Sequence, residues 1–99
     1  MALSNLQKRH LRSLAHHLKP VVMIGQHGLK DSILDELEIA LDVHELVKVR
    51  VSAEDRDDRT EMIERLVAAS GAELVQTIGH IAVLFRRNAK KPKIALPSA

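Results

Sequence analysis

The succession of hydrophobic periods along this 99-residue chain leaves it few folds to adopt. Leu6, Leu11, Leu14, Ala15 and Leu18 recur at helical spacing, and Ser4 with Gln7 three residues on forms a capping box, so the chain opens with a helix. Pro20 stops it, and Val21-Val22-Met23-Ile24 follows as a short buried strand. Ile33, Leu34, Leu37, Ala40 and Leu41 mark a second helix that opens near Asp31 and ends around Val43 and His44, with Asp35, Glu36, Glu38 and Asp42 on its outer face. Leu46-Val47-Lys48-Val49-Arg50-Val51 alternates as a strand, with Val47, Val49 and Val51 on one face and Lys48 and Arg50 on the other. A charged run over residues 54–59 leads into a third helix carrying Met62, Ile63, Leu66, Val67 and Ala69 on its apolar side, and Gly71 is its left-handed stop. Leu74-Val75-Gln76-Thr77-Ile78 and Ile81-Ala82-Val83-Leu84-Phe85 form a hairpin about Gly79-His80.

The order α-β-α-β-α-β-β predicts an α/β fold: one compact domain over residues 1–99 with a mixed four-stranded sheet, its last strand antiparallel to the one before. A chain of this length buries roughly 60 to 70% of its unfolded surface in a single core. Strand order, and whether the first helix shares a face with the other two, stay open at this stage. From about residue 87 the chain is a basic tail with Pro92 and Pro97, expected to be loosely held, although Ile94 and Leu96 offer apolar groups to dock at a sheet edge.

Charge is divided along the chain more sharply than the net value of +2 suggests. All 13 acidic residues fall between Asp31 and Glu73. Before them stand only Lys8, Arg9, Arg12, Lys19 and Lys30, and from Ile81 onward only Arg86, Arg87, Lys90, Lys91 and Lys93. Two acid-free basic ends are the footprint of a nucleic-acid binder, with the acidic middle forming an opposite face that repels RNA and orients docking. Lys48 and Arg50, side by side on one strand face, either look into solvent as part of that basic surface or pair with carboxylates from a covering helix.

Gly25-Gln26-His27-Gly28 supplies the second element of a binding site. Glycines let backbone amides approach an anion, the following helix adds a partial positive charge, and His27 can donate to a phosphate or lie against a base. The plainer alternative is punctuation, two glycines joining a strand to a helix. Phe85 is the only Phe, Tyr or Trp, so sheet-borne aromatic stacking of bases is beyond this chain, and phosphate, ribose and shape are expected to matter more.

Other chemistries find little support. No cysteine is present, and the six histidines show neither HxxxH nor HExxH spacing, so no metal site is expected. Serines lack a GxSxG setting and no GxGxxG or GxxxxGK[ST] occurs, which gives no catalytic residues, no cofactor and no small-molecule substrate. No segment approaches the ~20 apolar residues of a membrane span, and the protein is expected to be soluble and cytoplasmic, without a membrane partner.

Taken together, Leu14-Ala15-His16, Leu18-Lys19-Pro20-Val21-Val22, Gly25-Gln26-His27-Gly28-Leu29, His44-Glu45-Leu46-Val47-Lys48-Val49, Gly71, Gln76-Thr77-Ile78-Gly79, Val83-Leu84-Phe85-Arg86 and Lys93-Ile94-Ala95-Leu96-Pro97 resemble the bacterial YhbY family, the stand-alone form of the CRM (chloroplast RNA splicing and ribosome maturation) domain. The resemblance implies a fold similar to the carboxyl-terminal domain of a bacterial translation initiation factor. It also implies RNA binding, association with precursors of the large ribosomal subunit, and no catalysis. The expected RNA-binding residues are Lys19, Gly25, Gln26, His27, Gly28, Lys30, Lys48, Arg50 and Arg86, the family surface drawing on Lys19, Lys48 and Arg86 beside the glycines, with a monomer and ribosomal RNA as the partners. Lys30 departs from the Thr or Ser that related chains often place there to cap the helix, and adds positive charge instead. The competing reading is a protein-interaction module whose basic ends dock an acidic ribosomal or translation protein.

Overall fold

A computed structural model describes residues 2–25 and 28–98. The elements follow the predicted order: α1 (Asn5–Ala15), β1 (Pro20–Ile24), α2 (Asp31–His44), β2 (Leu46–Val51), α3 (Arg56–Ser70), β3 (Glu73–Ile78) and β4 (Ile81–Phe85). The expected capping box closes α1: the Gln7 amide donates to Ser4 Oγ at 3.1 Å, and the Ser4 amide donates to Gln7 Oε1 at 3.1 Å. Gly71 ends α3 in the left-handed conformation, at φ 70°.

The sheet runs β1-β2-β4-β3. β1 and β2 are parallel, β4 is antiparallel to β2, and β3 is antiparallel to β4. β3 therefore points the same way as β2 without touching it, because the hairpin folds β4 back into the gap between them. That placement explains why β4, the central strand with β2, has Ala82, Val83, Leu84 and Phe85 all buried, while β1 and β3 are edges.

Two cores lie on opposite faces of the sheet. Against α2 and α3 stand Val22, Ile24, Val47, Val49, Val51, Ala82 and Leu84, packed with Leu37, Leu41, Ile63 and Leu66. On the other face Leu11 and Ala15 of α1, with Leu3, cover Leu46, Val75, Val83 and Phe85. The first helix thus takes the face that the other two leave. It is shorter than its leucine pattern suggests: α1 ends at Ala15, and Leu6, Leu14 and Leu18 are 50%, 36% and 38% exposed. Only one turn-to-turn pair, Leu11 and Ala15, meets the sheet, so half of that sheet face has no helix over it. Among the described residues no helix is long and apolar enough to cross a membrane.

Candidate nucleic-acid interface

β1 and β2 are parallel and end together, Ile24 opposite Val51, and the Ser52 amide donates to the Ile24 carbonyl at 2.9 Å. The glycine loop begins at this point. The Gly28 amide donates to the Gly25 carbonyl at 3.1 Å and closes a four-residue turn, whose central positions Gln26 and His27 lie outside the described residues. The two glycines are not equivalent. Gly28 has φ 77°, a conformation that L side chains rarely adopt, whereas Gly25 has no such requirement and a Cβ there would meet nothing within 4 Å. Gly28 is needed to make the turn; Gly25 keeps its outer side open.

Lys30 follows as the N-cap of α2 in an extended conformation, and no side chain caps the helix. The helix starts at Asp31 nonetheless, with Ile33 and Leu34 amides donating to the Lys30 carbonyl at 3.0 and 3.1 Å. Replacing a Ser or Thr cap by lysine therefore leaves the first-turn donors without a side-chain oxygen and puts an ammonium beside them. Both changes favour an anion at this helix end.

The strands carry the other cations at different heights. Pro20 opens β1 opposite Lys48, so Lys19 lies at the end of the sheet remote from the glycine loop and Lys48 in mid-strand, while Arg50, opposite Met23, lies one residue below the end of the strand, next to the loop. Lys48 and Arg50 stand on the α1 face, Arg50 exposed and Lys48 half-buried opposite Val83 of the α1 core. Among the described residues, no carboxylate comes within ion-pair distance of Lys19, Lys30, Lys48 or Arg50.

Arg86 corrects the expected surface. It follows β4, whose Phe85 pairs with Leu46 at the start of β2, so it sits at the opposite end of the sheet from the glycine loop. There it turns toward α2. Its Nη1 donates to Glu38 Oε2 at 2.8 Å and to the Ser70 carbonyl at 2.8 Å, and its Nη2 donates to Asp42 Oδ1 at 2.9 Å. A guanidinium held by two carboxylates and a carbonyl ties helices to sheet; it adds no free charge to an RNA surface.

The tail departs from expectation as well, through a residue that sequence reasoning passed over. Glu45 caps the C-terminus of α2 at φ 64° and is completely buried. Its carboxylate accepts the amides of Asn88 at 2.6 Å, Lys93 at 2.6 Å and Ile94 at 2.8 Å, and faces Arg87 Nη1 at 3.4 Å. Burial pushes the Glu45 carboxyl up, but the three amides and the guanidinium together outweigh it and hold the pKa below its ordinary value. Ile94 and Leu96 pack on the α1 core, and Gln7 Nε2 donates to the Pro97 carbonyl at 3.1 Å. The segment after β4 is therefore fastened to the domain. Ile94 and Leu96 signalled this docking in the sequence; Glu45 did not, because its partners lie more than forty residues away.

On the α3 side of the glycine loop the charge reverses. A cavity of about 500 Å³ is lined by Gly25, Ser52, Glu54, Asp58, Glu61 and Arg65, among others. Asp55 above all, then burial and the neighbouring Glu61, Asp57 and Glu54, push the Asp58 carboxyl up. The loop thus has a basic side toward Arg50 and Lys30 and an acidic one over α3. Among the described residues no group of three or more His, Cys, Asp or Glu could hold a metal ion.

The CRS1 / YhbY (CRM) domain model matches residues 3–86. A Haemophilus influenzae protein named "RNA-binding protein" is 50% identical over 95 residues, covering 96% of this chain and 95% of that protein. "Probable RNA-binding protein PA4753" of Pseudomonas aeruginosa is 45% identical over 93 residues, covering 94% and 89%. The solution structure of SAV1595 from Staphylococcus aureus superposes with a TM-score of 0.83 at 38% identity, covering 97% of this chain and all of that one.

Proposed function

The chain belongs to the CRS1 / YhbY (CRM) domain family, and from that premise we propose that it is an RNA-binding protein that assists ribosome assembly, holding structured ribosomal RNA in precursors of the large subunit. It acts as a cytoplasmic monomer and carries out no reaction of its own. The observation that carries this reading is the track of unpaired cations, Lys19, Lys48 and Arg50, leading along β1 and β2 to the Gly25–Gly28 turn and to the uncapped start of α2. A polyanion following the track meets side-chain charge first and backbone amides last, with Lys30 beyond the turn. None of these contacts reads a base edge, so binding is set by backbone and shape. The large-subunit assignment comes from the end-to-end motif resemblance, and the names of the H. influenzae and P. aeruginosa relatives support RNA as the ligand.

Titration against ribosomal RNA at several salt concentrations tests the mechanism. Affinity falls with rising salt, and Lys48→Ala and Arg50→Ala each reduce the log–log slope by about 0.7 to 0.9, one phosphate's share. Wild-type affinity indifferent to salt rejects it. Sedimentation of cell extracts tests the assembly role: the protein travels with large-subunit precursors, and nuclease treatment releases it. Co-sedimentation that survives digestion favours protein contact instead.

A further inference from the structure

We propose that the uncovered half of the α1 face is a seat for unpaired nucleotides, with base faces laid on Met23, Ile78 and Ile81 and the adjoining phosphates held by Arg50 and Lys48. The inference deepens the RNA-binding reading and rests on it. Register alone assembles the seat. Met23 pairs with Arg50, Arg50 with Ile81, and Ile81 with Ile78, so these four side chains form one row across all four strands, about 14 Å from edge to edge at the usual strand spacing. Lys48 lies in the next row, opposite Val83, which is already under α1. Because α1 stops at Ala15, no helix among the described residues covers the upper row: Met23 is 67% exposed, Ile78 49%, and Val21 beside them 52%.

Apolar side chains so exposed, with unpaired cations set among them, match a ligand that is itself part apolar and part anionic. A fully paired RNA helix does not fit, because its base faces are hidden in the stack and it shows sugars, phosphates and groove edges. A nucleotide freed from pairing presents a base face and a phosphate together. The scarcity of aromatic residues removes strong stacking but not apolar contact; aliphatic groups accept any base face, and the seat is accordingly sequence-tolerant. The row lies one residue below the glycine turn, so an RNA strand entering it continues onto the Gly25–Gly28 amides.

Two RNA probes test the seat: a hairpin with a 2-aminopurine in an unpaired loop, and a blunt duplex of the same length. Met23→Ser and Ile78→Ser, both at exposed positions, keep the wild-type melting temperature. Each weakens loop binding by about threefold to tenfold, leaves duplex binding and the salt slope unchanged, and abolishes the 2-aminopurine emission change seen with wild type. Equal losses on both probes, no loss on either, or an emission indifferent to wild-type protein overturns the proposal. Wild-type protein that binds both RNAs while the variants change nothing removes this inference alone; wild-type protein that binds neither removes the RNA-binding reading with it.

Discussion

Arg50 and Arg86 stand near neighbouring strands at opposite ends of one sheet, and their surroundings are reversed. Arg86 is gripped by Glu38, Asp42 and the Ser70 carbonyl. Arg50 faces solvent beside Met23 and Ile81, with Glu54 lining the same small cavity but no carboxylate within ion-pair distance among the described residues. At the Glu45 end, the acidic middle of the sequence folds back onto Arg86 and Arg87 and turns their charge inward. At the glycine end, Lys30 and Arg50 have no carboxylate within ion-pair distance among the described residues. Segregation of charge in a sequence is therefore not segregation on a surface: a block of cations contributes outward only where the fold brings no acid to it.

The comparison predicts that damage at the two ends is separable. The largest effect is expected from Glu45→Gln, which leaves three partly buried amides and Arg87 facing a neutral group and lowers stability by about 3 kcal/mol at neutral pH, measured by urea unfolding. Its pH dependence is diagnostic. A carboxyl whose pKa is lowered on folding stabilises the native state fully above the unfolded value, and that contribution is lost as pH falls through the folded value. The wild-type advantage over Glu45→Gln consequently shrinks in acid, and an advantage that grows there contradicts the assignment. Well below its melting temperature the variant binds RNA as wild type does.

Gly28→Asp comes next, on the other end: a carboxylate at a left-handed turn position, where an anion must approach, lowers RNA affinity on the order of tenfold and costs stability about 1 kcal/mol. Gly25→Ala separates ligand space from fold, since its Cβ meets nothing; it leaves the melting temperature unchanged, and any loss of affinity reports crowding of the RNA. Arg86→Ala lowers stability without altering the salt slope, the converse of Arg50→Ala. The smallest effect is a gain: Asp58→Asn relieves part of the acidic side of the loop and raises affinity about twofold at low salt only. Unchanged binding at low salt would place the RNA beyond reach of that side.

The order of elements was legible in the sequence because the signals for it are local: a capping box at Ser4, clean alternation over Leu46–Val51, a glycine stop at Gly71; the end of the first helix was misplaced, since α1 stops at Ala15 and Pro20 opens β1, whose Val21 and Met23 are exposed rather than buried. What joins the elements was not. Nothing in a run of residues tells that β4 inserts between β2 and β3, or that α1 takes the far face. The same limit applies to the site. Lys48 and Arg50 were placed correctly on one strand face, but whether a helix covered that face depends on where α1 stops. Arg86 looked equivalent to them because its partners, Glu38 and Asp42, are more than forty positions away. The tail looked loose for the same reason, since an isolated glutamate gives no hint that three distant amides converge on it.

The fastening of the tail also decides how this domain joins other polypeptide. The Leu3 amide donates to Glu73 at the start of β3, and Pro97 is bonded to Gln7 on α1, so both ends of the chain leave near the sheet end that holds Glu45. Extra sequence on either side, whether a purification handle, a fluorescent fusion or a second domain of the same kind, emerges on the side remote from the glycine turn. Such a unit can be strung in tandem with every copy still presenting its working corner outward.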